Sequence, residues 1–149
     1  MRLVIDANIL VGQLTRDQGR RLLRHPNLQL LITEQAWSEA WHEFPKRLQR
    51  RVAAGTFSAE SVASALAVAR QIADAYITSF PPAIYASNEA EARLRIPDDP
   101  DDWQTVALAL ATGADIWTED KDFFGCGVAT WRMPQLRAIL DREPDAVAK

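Results

Sequence analysis

The sequence has little cysteine or histidine and no long hydrophobic run. Its 149 residues include one cysteine and two histidines. The single cysteine, Cys126, excludes an internal disulfide and any cysteine-rich zinc site. No apolar segment approaches the roughly 20 residues of a transmembrane helix, and Asp6 interrupts the apolar start too early for a signal peptide. These absences predict a protein of the reducing cytoplasm without a membrane span.

The composition is that of an ordinary globular domain, but its charges are segregated. Hydrophobic residues make up 48% and charged residues 25% of the chain, and the length fits one domain with one core. The net charge of −3 at first disfavours a polyanionic ligand. Residues 16–51, however, carry eight Lys or Arg against four acids, whereas residues 98–122 carry eight acids against one lysine. An acidic cluster that binds cations beside a basic flank is compatible with nucleic acid, although solvated helix faces explain any one of these charges.

Short β-branched apolar segments alternate with helical patterns along the chain. Strands are predicted over residues 3–5, 28–32, 115–118 and 128–131. Pro45 is expected to kink or divide one helix, and Phe80-Pro81-Pro82 to act as a breaker. This alternation predicts an α/β/α sandwich with a central, mainly parallel sheet. We assign residues 1–143 to this single domain and residues 144–149 to a frayed tail.

Carboxylates follow the predicted strands at the sheet edge where open parallel sheets bind ligands. Asp6 comes directly after the first strand, and Asp120 follows the strand that ends at Thr118. Asp102 begins the helix leading into that strand, and Glu39 lies in the helix after the second strand. Each acid alone is explained equally well as a helix cap or a turn residue. Together they would repel one another unless cations neutralise them, which predicts a site for a hard, oxygen-preferring divalent ion.

Four segments at these residues resemble the PIN-domain ribonucleases, and among them the VapC toxins of bacterial toxin–antitoxin pairs. The segments are Leu3–Leu10 (LVIDANIL), Thr33–Glu39 (TEQAWSE), Asp102 followed by Ala107, Ala109 and Gly113, and Ile116–Phe123 (IWTEDKDF). Their order and spacing match the family from Leu3 to about Leu140. The last two segments are the most specific, because they match as one block.

The resemblance implies an endoribonuclease that depends on Mg²⁺ or Mn²⁺. Asp6, Asp102 and Asp120 would bind the metal, and Glu39 would do so directly or through water. Metal ions at such a site activate water and stabilise the leaving oxygen. The remaining candidates are Asp122 and Asp99 as additional ligands, Asn8 and Thr118 as groups that orient carboxylates or water, and Lys46, Arg47, Arg50 and Arg51 as RNA contacts.

The resemblance also implies an antitoxin partner and a homodimer. Apolar residues over 59–75 and 136–140 can form a groove for a partner helix, or can simply complete the core. Two other functions remain open. A haloacid dehalogenase-like phosphatase needs a second acid two residues after Asp6, where Asn8 stands. A non-catalytic binding module would keep the fold without metal, although all four main positions retain acids.

Overall fold

A computed structural model describes residues 1–142 of the chain, and the predicted tail over 144–149 lies outside these residues. The strands are β1 (Arg2–Ile5), β2 (Gln29–Thr33), β3 (Ile77–Phe80), β4 (Asp115–Trp117) and β5 (Thr130–Trp131). The helices are α1 (Ala7–Leu14), α2 (Asp17–Leu23), α3 (Glu34–Ala53), α4 (Val62–Tyr76), α5 (Pro82–Tyr85), α6 (Glu89–Arg95), α7 (Trp103–Thr112) and α8 (Met133–Leu140).

The strands of residues 1–142 form one sheet in the order β3-β2-β1-β4-β5, and all neighbouring strands are parallel. β1 is central, and its Val4 is in register with Leu31 of β2 and with Ile116 of β4. The chain runs outward from β1 through β2 to β3 and then crosses to β4 on the other side. The carboxyl ends of β1 and β4 therefore flank the point where strand order reverses, which is where ligands bind in open α/β sheets.

Each face of the sheet is covered by helices. Leu3 and Ile5 of β1 pack with α1, α2, α3, α4 and α8 on one face. Val4, which points to the other side of the same strand, packs with α5, α6 and α7. The predicted α/β/α sandwich with a parallel sheet is therefore confirmed.

Pro45 does not divide its helix, so the prediction of a division was wrong. The helix α3 runs without interruption from Glu34 to Ala53. An interior proline removes one backbone hydrogen bond and costs about 3 kcal/mol. The residues Phe44 and Leu48 on either side of it are 1% and 2% exposed. Burial of these two side chains alone contributes roughly 3–6 kcal/mol, so the packing of α3 outweighs the loss at Pro45.

The sequence patterns also missed the edge strand β3. Phe80 was expected to belong to a breaker, but it ends β3 and is in register with Thr33 of β2. The segment Ile77–Phe80 has four residues, follows α4 without a turn and precedes Pro81, so it carries no strand signal of its own. Pairing with β2 supplies the strand conformation, and an edge position tolerates the proline beside it.

The apolar residues of α4 and α8 complete the core only in part. Ala69, Ala73 and Leu136 are almost fully buried, whereas Val68 and Tyr76 of α4 are 45% and 48% exposed. The expected partner surface therefore keeps exposed apolar positions on α4, which are Val68 and Tyr76 together with Ala63, Ala67 and Ala75. None of the helices in residues 1–142 has the length and apolar character that crossing a bilayer requires.

Candidate functional site

Asp6 stands at the junction between β1 and α1. It is the residue before α1, and its Oδ1 accepts a hydrogen bond of 2.8 Å from the backbone N–H of Ile9. Its Oδ2 accepts a second hydrogen bond of 2.7 Å from the hydroxyl of Thr118. The carboxylate is thus fixed by a helix start on one side and by the end of β4 on the other.

Thr118 connects the two acidic segments at the switch point. While its hydroxyl donates to Asp6, its oxygen accepts a 3.0 Å hydrogen bond from the backbone N–H of Asp120. Asp120 in turn caps a short 3-10 turn, accepting a 2.9 Å hydrogen bond from the N–H of Asp122. Thr118 is fully buried, so this network orients Asp6 and Asp120 without competition from bulk water.

Glu39 lies in α3 and faces the same site as Asp6 and Asp120. Thr33 caps this helix by accepting a 3.1 Å hydrogen bond from the N–H of Ala36. Ala36 and Glu39 lie on one helix face, and both line a pocket with Asp6. Glu34 is in the first turn, and Glu43 forms ion pairs on the helix surface. Of the three glutamates, Glu39 is the one that faces the pocket.

Asp102 completes the carboxylates of the pocket. It is the residue before α7, but its side chain accepts no capping hydrogen bond from that helix. Asp102 is an exposed residue that is partly buried on its pocket side, and it lines the pocket with Asp6, Glu39 and Asp120. The structure thus brings together the four main predicted acids. Asp99 and Asp122 do not line this pocket; Asp99 stands close enough to Asp102 to perturb it.

Burial and mutual repulsion disfavour the charged forms of two of these carboxylates. Burial raises the pKa of Asp6, and the charges of Asp120 and Glu39 raise it further against the hydrogen bonds from Ile9 and Thr118. Partial burial and then the charges of Asp99, Asp120 and Glu39 raise the pKa of Asp102 to about 6. The pocket therefore gathers more negative charge than the protein neutralises, as expected of a site for a cation.

The donor set fits a magnesium-like ion. The pocket offers carboxylate oxygens together with the side-chain oxygens of Asn8 and Thr105, and hard divalent cations prefer such ligands. Within residues 1–142, no three acids, histidines or cysteines are close enough to form a ready-made ligand cage. Mg²⁺ is usually held by one or two carboxylates with several waters, and this arrangement satisfies that requirement.

The sequence patterns did not identify several other residues around the site. Gln35, Gln104 and Thr105 also line the pocket. An adjoining groove contains Arg16 and Arg47 beside Asp6 and Asp120. Helical spacing from Asn8 does not predict the position of Arg16, because α1 ends at Leu14 and Arg16 has an extended backbone.

The four basic residues predicted to contact RNA have different surroundings. Lys46 and Arg50 pair with Glu43 at 3.3 and 3.9 Å. Arg47 lines the groove beside the pocket. Arg51 donates to the backbone oxygen of Thr15 at 3.1 Å. Only Arg47 and Arg51 therefore lie in grooves near the acidic pocket.

Comparisons with known proteins identify the family. No curated protein matches this chain. A chain of the crystal structure of VapBC2 from Rickettsia felis, bound to a DNA fragment from their promoter, is similar in fold. The TM-score is 0.56 at 16% identity, over 89% of this chain and 98% of that one. A family model described as PIN domain matches residues 4–141. Because this match spans almost all of the described fold and includes all four pocket acids, the chain belongs to the PIN domain family.

Proposed function

We propose that this protein is a divalent-metal-dependent endoribonuclease. The observation that carries the proposal is the convergence of Asp6, Glu39, Asp102 and Asp120 on one pocket at the carboxyl ends of β1 and β4. These residues come from four separate elements, and burial together with their mutual repulsion raises the pKa of Asp6 and Asp102. Such an arrangement destabilises the metal-free protein, and a bound cation neutralises the repulsion between the carboxylates.

Each residue of the pocket has a distinct task in this proposal. Asp6, Asp102 and Asp120 hold Mg²⁺ or Mn²⁺, and Glu39 holds it directly or through water. Divalent ions at such sites activate a water nucleophile and stabilise the leaving oxygen of a phosphodiester. Thr118 fixes Asp6 through their 2.7 Å hydrogen bond, and Asn8 lines the pocket where it can orient a water. Asp122 and Asp99 are candidates for support from the rim.

We further propose that the protein acts as the toxin of a toxin–antitoxin pair in the cytoplasm. The likeness in fold to a chain of VapBC2 supports this proposal, together with the sequence resemblance to VapC toxins. The exposed Val68 and Tyr76 of α4 offer apolar surface for an antitoxin helix or a second protomer. An arginine of the antitoxin placed among the carboxylates would replace the charge of the cation and inhibit the site.

Cleavage of RNA with and without metal tests the nuclease proposal. The wild type should cleave single-stranded RNA in Mg²⁺ or Mn²⁺ and lose this activity in EDTA. Asp6→Asn should abolish cleavage in a folded protein. The matched control is Asp101→Asn, because the side chain of Asp101 is 92% exposed and pairs with Arg93. Full activity in Asp6→Asn would refute the assignment.

A growth assay tests the toxin proposal separately. Expression of the wild type alone should arrest bacterial growth, and co-expression with a small neighbouring gene product should restore it. Asp6→Asn should not arrest growth. If the abundant, folded wild type cleaves RNA in vitro but leaves growth unchanged, the nuclease proposal survives and the toxin proposal fails.

Family membership bears on the two alternative functions. The phosphatase alternative requires a haloacid dehalogenase-like fold, and the match of residues 4–141 to a PIN domain excludes it. A non-catalytic PIN-fold binding module is the remaining alternative. It predicts RNA or protein binding without metal-dependent cleavage, so the same cleavage assay separates it from the nuclease.

A further inference from the structure

Two connected grooves lead away from the acidic pocket along one side of the molecule. The first groove shares Asp6, Asn8 and Asp120 with the pocket and is also lined by Arg16 and Arg47. The second groove shares Gln13 and Arg16 with the first. A ligand held in the pocket therefore has a continuous path across the C-terminal end of α1.

The sign of the charge reverses along this path. The second groove is lined by the four arginines Arg16, Arg20, Arg51 and Arg137, with Asp17 as its one acid. Asp17 pairs with Arg20, which leaves three positive charges without a carboxylate partner among the groove residues. A groove of one sign focuses the field and attracts a polyanion, whereas the acidic pocket accepts one only with a cation.

Three of these arginines are held in place by neutral acceptors. Arg51 donates to the carbonyl oxygen of Thr15 at 3.1 Å and lies over the ring of Phe57 at 5.2 Å. Arg16 donates through Nε to the carbonyl oxygen of Gly12 at 3.2 Å. Arg137 contacts the side-chain oxygen of Gln18 at 3.4 Å. These bonds orient the guanidinium groups without an ion pair to any carboxylate of residues 1–142, which leaves them available for phosphate recognition.

We propose that this arginine groove binds the phosphates of single-stranded RNA on one side of the scissile bond. The proposal rests on the proposed nuclease function and extends it to a substrate-binding site. RNA is favoured over an acidic protein segment because the first groove, which shares residues with both, connects the arginine groove to the pocket. A strand whose phosphate lies among Asp6 and Asp120 can leave through the first groove, and the arginine groove beyond it carries the charge that the following phosphates need.

Binding of a labelled single-stranded RNA oligonucleotide in metal-free buffer tests the groove without relying on cleavage. Arg51→Gln should weaken binding about fivefold, with a salt dependence shallower by about 0.7. Arg51→Lys should retain most of the affinity. Gln18→Glu is a second variant that keeps every arginine and adds a negative charge beside Arg137; it should also weaken binding. The matched controls are Arg24→Gln and Gln71→Glu, which change the same charges at exposed positions outside both grooves.

The outcomes separate the groove from the nuclease proposal. In the cleavage assay, Arg51→Gln should raise KM for a long RNA, whereas the control Arg24→Gln should keep the wild-type KM. If both groove variants bind RNA with the affinity and salt slope of the controls, the groove proposal is refuted even where cleavage persists. If poly-glutamate binds the groove and RNA does not, the groove serves an acidic protein segment and the proposal is likewise overturned. Groove-dependent RNA binding without metal-dependent cleavage would support the groove and refute the nuclease.

Discussion

The repulsion in the pocket predicts that removing one carboxylate stabilises the metal-free protein. In Asp102→Asn the side chain keeps its size but loses its charge. Partial burial raises the pKa of Asp102 most, and the charges of Asp99, Asp120 and Glu39 raise it further. The amide removes this unfavourable charge, so we expect the variant to melt at a higher temperature than the wild type when no divalent cation is present.

The expected size follows from the pKa. A rise from the ordinary value of 3.8 to about 6 corresponds to about 3 kcal/mol at 1.36 kcal/mol per unit. Because Asp102 is only partly buried and remains accessible to solvent, water and salt screen the interaction, and we reduce the expectation to about 1 kcal/mol. For a chain of this length, that is a rise of roughly 2–4 °C in melting temperature.

The stabilisation should depend on pH in a defined direction. The folded-state pKa of Asp102 lies above its unfolded-state value, so the folded wild type binds the proton more tightly. Below about pH 4 the group is protonated in both states, and the wild type carries no penalty. The penalty develops as pH rises from about 4 to about 6 and is complete above that window. The advantage of Asp102→Asn should therefore be present at pH 7.5 and absent near pH 4.

Added metal should reverse the order of the melting temperatures of the wild type and Asp102→Asn. At a concentration 100 times its Kd, a ligand that binds only the folded state stabilises it by about 2.7 kcal/mol. Mn²⁺ should therefore raise the melting temperature of the wild type well above that of Asp102→Asn. Thermal melts in EDTA and in Mn²⁺ measure both effects, with Asp101→Asn as the control. Equal melting of variant and wild type in EDTA at pH 7.5, or an equal response of both to Mn²⁺, would refute the reasoning.

Three further predictions concern neighbouring positions. Glu39→Gln should lower the rate of RNA cleavage by orders of magnitude while Glu34→Gln changes it little, because only Glu39 faces the pocket; the reverse ranking in a cleavage assay would mean that the wrong glutamate is assigned. Thr118→Val should cost about 1–3 kcal/mol in denaturant unfolding, since it leaves two partly buried hydrogen-bonding groups without their partner; a neutral effect would contradict the network. Gly19→Ala should destabilise by about 2 kcal/mol, because a Cβ there would lie 2.2 Å from a backbone oxygen of α1. Gly12→Ala should instead stabilise by up to about 1 kcal/mol, since its Cβ meets nothing closer than 3.7 Å; opposite signs in matched melts check the pair.

The sequence was sufficient where local chemistry determines the structure. Thr33 before an apolar helical pattern predicted the start of α3, and its hydroxyl accepts the capping hydrogen bond. Gly113 predicted the end of α7, where the chain adopts φ 67°. The alternation of strands and helices predicted the parallel sheet, and the strand ends predicted that Asp6 and Asp120 meet. These features depend on a few adjacent residues or on the direction of the chain.

The sequence was insufficient where tertiary packing decides. Pro45 has an unfavourable local conformational preference, but the burial of Phe44 and Leu48 keeps α3 continuous. β3 has no strand pattern of its own in the sequence, and it forms because it pairs with β2. The arginine groove has the same origin. Arg51 and Arg137 lie 86 positions apart in sequence, and only the packing of α2, α3 and α8 against one face brings them to the same groove.

The helix α1 explains how one small chain can carry an acidic pocket and a basic groove side by side. Its N-terminus receives the hydrogen-bonded carboxylate of Asp6, and Arg16 follows its C-terminus. The helix dipole favours negative charge at the first end and positive charge at the second, so both charges stabilise the helix that separates them. Eight residues span about 12 Å, which holds the regions apart while Arg16 reaches back over Gly12. The net charge of −3 conceals this arrangement, because the two regions largely cancel in the sum. A long RNA should therefore respond to both regions at once.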